Sequence, residues 1–162
     1  MLPSKNASSS GDLPTAFLVS CMRCGSTWQY QYAEAHPCMR GARPPQALLA
    51  NDGFCWRNDC TKEVSFFDRK ERYMRGLDYY SKYYPRDMCG NSRPCLRVDG
   101  TPGYLSSWQA PMRLNHTYSM VGMKHAVKVV IQLRDPVKAS ISRIKHDLRM
   151  RGGSMEEIVR EI

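Results

Sequence analysis

The chain lacks any long apolar run, is poor in acidic residues relative to basic ones, and carries no complete phosphate-loop or metal signature. A membrane-spanning helix needs about 20 consecutive apolar residues. The run from Ala126 to Leu133 already contains Lys128 and Gln132, and no basic-then-apolar leader precedes Leu13. The expectation is therefore a chain with no visible membrane segment or export signal. No Gly-Lys-Ser/Thr follows a glycine-rich turn, which argues against nucleoside triphosphate hydrolysis. His36, His116, His125 and His146 are isolated. After Cys21-x-x-Cys24 no second Cys-x-x-Cys or His pair stands at ligand spacing, so no metal is expected.

What is present is a chain of 162 residues with 42% hydrophobic content, enough for one domain with a real core. Lys and Arg number 24 against 15 Asp and Glu, and the net charge of +9 favours anionic partners: phosphorylated cofactors, acidic polysaccharides, nucleic acid or anionic membrane. Seven cysteines are many for a reducing compartment. The pairs Cys55/Cys60 and Cys89/Cys95 flank short polar loops and suggest local disulfides, and the odd count leaves at least one free thiol. The sequons at Asn6 and Asn115 agree with a secretory route.

Residues 1–12 are polar and Ser-rich and read as a disordered lead-in to a domain over 13–162. Ala16 to Ser20 reads as a buried strand and Thr27 to Ala35 as a helix stopped by His36-Pro37. Residues 37–60 read as a long loop with one helical turn at Gln46 to Ala50. "KEVSFFD", 62–68, is strand-like, and the helical spacing of Tyr73, Leu77, Tyr80 and Tyr84 predicts one helix up to Pro85. A strand at Leu96 to Val98, a helix through Ser107 to Asn115, a β-branched strand ending near Leu133 and a basic helix over Val137 to Met150 follow. Ser154-x-x-Glu157 is a capping box for a last helix. This alternation predicts an α/β fold, a parallel sheet flanked by helices, with ligands at the carboxyl ends of the strands.

Three of the four strand ends carry unusual chemistry, among them the first and the last. "SCMRCGST" could aim backbone N–H groups and the Ser26 and Thr27 hydroxyls at an anion on the positive end of the next helix, with Arg23 adding charge. The plainer alternative is a strand-to-helix turn with a capping hydroxyl. At the last end, in "LRDPVKASISR", Arg134 and Ser142 lie two helical turns apart and could converge on a second phosphate. "RIKHDLRMR", 143–151, reads as a solvated basic face or a stripe attracting an acidic polysaccharide.

The motifs "RCGSTW", "KEVSFFD" with "GLDYYSKYYP", "VDGTPGYL" and "LRDPVKASIS", in that order, resemble those of the sulfotransferases that use 3′-phosphoadenylyl sulfate, and most of all the Golgi carbohydrate type that includes heparan sulfate sulfotransferases. The resemblance implies a P-loop-like sulfotransferase fold that continues past Ile162, and transfer of a sulfuryl group to a hydroxyl or amine of a glycan in the Golgi lumen. It implies that Arg23, Cys24, Gly25, Ser26, Thr27 and Trp28 hold the 5′ end of the nucleotide and that Arg134 and Ser142 hold its 3′-phosphate. Sulfuryl transfer leaves negative charge on the departing phosphate oxygen, so cations and N–H donors must be fixed there. Glu63 is the best-placed base for the acceptor proton, with an ion pair to Lys62 or Arg69 as its other reading. Two further readings stay open: a thioredoxin-like redox domain using Cys21 and Cys24, and a basic nucleic-acid-binding module.

Some positions depart from the family pattern. Arg23 stands where the family has Lys, Ser65 where heparan-type members have His, and Gly100 where they have Lys. A guanidinium holds charge but does not give up a proton near neutral pH. Arg23→Lys is therefore expected to keep or raise sulfuryl transfer and Arg23→Ala to abolish it. Single-turnover transfer from labelled donor checks both, and wild-type rates for Arg23→Ala would remove the residue from the reaction.

Overall fold

In the computed structural model the described residues are 13–51, 61–84, 88–89 and 93–151. The lead-in over 1–12, Cys55, Cys60 and the Ser154 capping box lie outside them. Strand β1 (Ala16–Ser20) is buried along its whole length, as an interior strand of a parallel sheet covered on both faces must be. It runs into α1 (Ser26–Glu34), then β2 (Met39–Arg40) and α2 (Gln46–Asn51). Two short helices, α3 (Lys70–Tyr73) and α4 (Leu77–Ser81), precede β3 (Met88–Cys89), β4 (Arg93–Pro94) and β5 (Leu96–Asp99). A 3-10 turn at Pro102–Leu105 leads into α5 (Gln109–Met120), and β6 (Lys128–Gln132) feeds α6 (Pro136–Arg151).

The sheet has the order β2-β5-β1-β6 and is parallel throughout, so the predicted α/β class is the observed one. β3 and β4 form a separate antiparallel pair. β1 alternates between two cores. Phe17 and Val19 join an aromatic cluster with Phe66, Phe67, Tyr80, Tyr104 and Tyr118, while Ala16 and Leu18 pack with Tyr30 and Val98 on the opposite face. Phe66 stacks on Tyr80 at 4.3 Å, and Phe17 meets Tyr118 edge-on at 5.7 Å.

Three expectations need correction. Residues 62–68 are not a strand, although Phe66 and Phe67 are buried. The amides of Ser65 and Phe66 donate instead to the hydroxyls of Thr101 (3.1 Å) and Tyr104 (3.1 Å), so side chains take the place of a neighbouring strand. The place in the sheet is filled by β2, too short to show a pattern, through pairing of Met39 with Leu96. The single helix expected up to Pro85 is two pieces broken at Gly76, whose φ of 81° is left-handed. This bend buries Tyr79, Tyr80, Tyr83 and Tyr84 together, leaving none of the four on the surface. The helix expected at Ser107 to Asn115 starts two residues later and runs on to Met120.

β6 lies at the end of the sheet order, and its central residues Val129, Val130 and Ile131 are 49%, 46% and 57% exposed. Val137, Ile141 and Ile144 of α6 are exposed as well. Among the described residues no helix is long and apolar enough to cross a membrane.

The fold closes over a buried carboxylate. Asp99, at the end of β5, accepts hydrogen bonds from the Tyr80 hydroxyl (2.6 Å), the Tyr104 hydroxyl (2.8 Å), and the Thr101 hydroxyl (2.6 Å) and amide (3.1 Å). Burial lifts the Asp99 carboxyl above the ordinary Asp range, and the bonds from Thr101, Tyr80 and Tyr104 oppose the rise. A carboxyl that binds its proton more tightly folded than unfolded contributes stability that is complete below about pH 3.9 and is lost as pH rises through the folded value. Tyr80→Phe removes one opposing bond. The expected result is a loss of about 1.5–3 kcal/mol near neutrality and a decline in stability that extends to higher pH. Urea denaturation across the acidic to neutral range checks both.

Candidate functional site

The turn between β1 and α1 sits at the carboxyl end of the sheet. Cys21 and Cys24 are joined by a disulfide with their Cα atoms 5.4 Å apart, closing a small ring around Met22 and Arg23. Arg23 has a left-handed φ of 64°, and Gly25, the residue before α1, a φ of 93°. Among the described non-glycine residues only Arg23 and Ser65 have positive φ. They lie in the two segments that carry the candidate chemistry, and unusual backbone collects at functional sites.

No side chain caps the start of α1. The Ser26 and Thr27 hydroxyls are therefore not used as the plainer sequence reading supposed, and the first amides of the helix are left without that partner. Both hydroxyls instead receive hydrogen bonds from the Lys62 ammonium, at 3.0 Å and 3.2 Å. The third acceptor of the same ammonium is Glu63 Oε1 at 2.9 Å. Lys62 is 5% exposed, whereas the Glu63 side chain is 43% exposed, so a buried cation faces the turn and a half-open carboxylate stands behind it. Of the two ion-pair partners foreseen for Glu63, the observed one is Lys62.

The far end of the sheet reaches the same turn. Arg134, just past β6, donates from Nη1 to the Arg23 carbonyl at 3.0 Å across 111 residues. Arg143 of α6 lies 2.9 Å from the Met22 sulfur, which brings α6 over the turn. Gln132 ends β6 beside Gly25, where a Cβ would lie 3.2 Å from its side-chain nitrogen. The Gln132 Oε1 is buried and has no hydrogen-bond partner among the described residues.

Of the residues singled out from the sequence, the structure thus gathers Arg23, Cys24, Gly25, Ser26, Thr27 and Arg134, with Glu63 joined to them through Lys62. Ser142 is half-buried on α6 and shares no hydrogen bond with Arg134. The Trp28 ring points away, stacked on Tyr32 at 5.5 Å on the exposed side of α1. In the basic stripe, Arg143 pairs with Asp147 at 2.9 Å, and hydrogen bonds from Arg143 and His146 hold the Asp147 carboxyl below its ordinary range. Cys95 is disulfide-bonded and Cys38 is a free, exposed thiol. The residue that sequence reasoning undervalued is Lys62, which enters there only as a neighbour of Glu63.

No protein-family model matches the chain.

Tyr30 explains why position 100 has no side chain. Its hydroxyl donates to the Thr61 carbonyl at 2.5 Å and accepts from the Ala42 amide at 3.1 Å, fixing α1 against the segment that holds Lys62. A Cβ on Gly100 would lie 2.4 Å from the Tyr30 ring and 3.2 Å from Lys62 Cγ. Gly100→Ala is expected to cost about 1–3 kcal/mol of stability by forcing the ring and the lysine stem apart. Thermal melting checks it, and an unchanged melting temperature would show that Tyr30 does not fix this contact.

Proposed function

We propose that this chain carries a sulfotransferase domain that moves a sulfuryl group from 3′-phosphoadenylyl sulfate to a hydroxyl or amine of a carbohydrate, in the P-loop-like fold that its motifs resemble. The observation that carries the reading is the hydrogen bond from Arg134 to the Arg23 carbonyl, which joins the first and last of the motif blocks at the carboxyl end of one parallel sheet. A donor with a phosphosulfate at one end and a 3′-phosphate at the other needs two anion sites held at fixed separation. The turn before α1 supplies one, through uncapped amides, the Ser26 and Thr27 hydroxyls and the Arg23 charge. Arg134 and Ser142 supply the other.

In the step itself the acceptor oxygen or nitrogen forms a bond to sulfur as the bond from sulfur to the 5′-phosphate oxygen breaks, and the electron pair leaves on the phosphate. The acceptor proton passes to Glu63, whose Oε2 has no partner among the described residues. Arg23 and the helix-start amides face the charge that develops on the leaving oxygen. The Cys21–Cys24 disulfide suits an oxidising compartment such as the Golgi lumen.

That disulfide also favours a second reading, a dithiol oxidoreductase with Cys21 and Cys24 between a strand and a helix. Calorimetry with adenosine 3′,5′-bisphosphate separates the two. Under the sulfotransferase reading the nucleotide binds saturably. Arg134→Ala and Ser142→Ala each weaken it by about 1.5–3 kcal/mol, with far less effect on adenosine 5′-phosphate. Equal losses for both nucleotides would overturn the assignment of the 3′-phosphate site. Absence of binding together with thiol–disulfide exchange would favour the second reading.

A further inference from the structure

Lys62 is a lysine removed from water whose ammonium is used in full by groups at the candidate site. An ammonium has three N–H bonds and no lone pair. Here the three point to Ser26 Oγ (3.0 Å), Thr27 Oγ1 (3.2 Å) and Glu63 Oε1 (2.9 Å). Because Lys62 can only donate, both hydroxyl oxygens act as acceptors towards it, and each keeps its own hydrogen for another partner. Neither hydroxyl donates to an acceptor among the described residues. Thr27 is exposed, so its hydrogen is available on the side of the turn away from the ammonium, and Ser26, buried beside it in the first turn of α1, keeps its hydrogen without an acceptor among the described residues. A hydroxyl held from behind by a cation is a stronger donor in front, since successive hydrogen bonds polarise one another.

We infer that Lys62 is a positioning residue for an anion in the turn before α1: it holds the Ser26 and Thr27 hydroxyls with their hydrogens turned outward and passes its charge to the anion through them. This deepens the reading proposed above and rests on it for the identity of the anion, a phosphosulfate. The missing side chain at Gly100 is part of the device, because the lysine stem runs within 3.2 Å of where a Cβ would stand. Glu63 shares the ammonium and tempers it. When an anion arrives, the carboxylate and the anion oppose each other across Lys62, so loss of the Glu63 charge strengthens anion binding while it removes the base.

The test measures the affinity of the full chain for two probes, adenosine 3′,5′-bisphosphate and inorganic sulfate. The proteins are the wild type, Lys62→Met, Glu63→Gln, the pair Ser26→Ala with Thr27→Val, and that pair combined with Lys62→Met; cooperative melting confirms the fold of each. Lys62→Met is expected to weaken both probes about ten- to a hundredfold, the range of a lost charge-assisted contact. In the background lacking the hydroxyls the same change is expected to cost less than about threefold, because the path to the anion is already cut. Glu63→Gln is expected to tighten sulfate several-fold, a gain that a lysine serving only to hold the fold would not produce. Equal costs of Lys62→Met in the two backgrounds, or weaker sulfate binding by Glu63→Gln, would overturn the inference; the second variant decides if Lys62→Met does not fold. Lys62-dependent binding of sulfate without binding of the nucleotide would leave the role of Lys62 standing and remove the sulfotransferase reading. Wild-type protein that binds neither probe would overturn both.

Discussion

The buried Asp99 carboxylate is the contact on which the rest of the site depends. It ends β5 inside the aromatic core and takes four hydrogen bonds, three from hydroxyls and one from an amide. Two of those hydroxyls face both ways: Thr101 Oγ1 and Tyr104 Oη donate to Asp99 and accept from the amides of Ser65 and Phe66. The segment 61–68 is held to the sheet by these two hydroxyls without pairing as a strand. Lys62 and Glu63 sit at its start, so the ammonium reaches the turn before α1 because a carboxylate nearby is fully bonded. A buried charge with this many partners is costly to disturb from either side.

A second constraint is the crowding around Tyr30. Its ring fills the space that a side chain on Gly100 would need, and its hydroxyl ties α1 to residues 42 and 61. Tyr30 thereby ties α1 to Thr61, the residue before Lys62, while its ring and the Lys62 stem both border the space at Gly100. The hydroxyls of Ser26 and Thr27 and the ammonium meet at hydrogen-bond distance because both supports are rigid. By contrast, the β6 side of the site is open: Val129 to Ile131 and Val137, Ile141 and Ile144 of α6 are exposed, and Arg134 reaches the turn through an exposed hydrogen bond.

Much of this was legible in order but not in depth. β1, α1, β5, β6 and α6 follow from apolar runs, β-branched residues and breakers, and the parallel sheet follows from their alternation. The turn before α1 and Arg134 were legible as strand ends with polar chemistry. Residues 62–68 misled because alternating and aromatic residues mark burial equally well when the backbone is bonded by side-chain hydroxyls. The break at Gly76 misled because helical spacing of tyrosines persists through a bend that keeps them on one core. β2 was illegible, since two residues acquire strand geometry only from the partner beside them.

By itself the amino-acid sequence determined the α/β alternation, the surplus of positive charge and the set of residue types that collect at the strand ends, because periodicity, composition and turn chemistry are local properties. Tertiary structure alone decided that Lys62, rather than an ordinary cap, answers the Ser26 and Thr27 hydroxyls, and that Glu63 shares it. It also decided which side chain fills the space at Gly100 and that Arg134 touches Arg23. Apart from the adjacent Lys62 and Glu63, those contacts join residues 35 to 111 positions apart, and whether two such groups lie at 3 Å or on opposite sides of the molecule is set by the packing of the core between them.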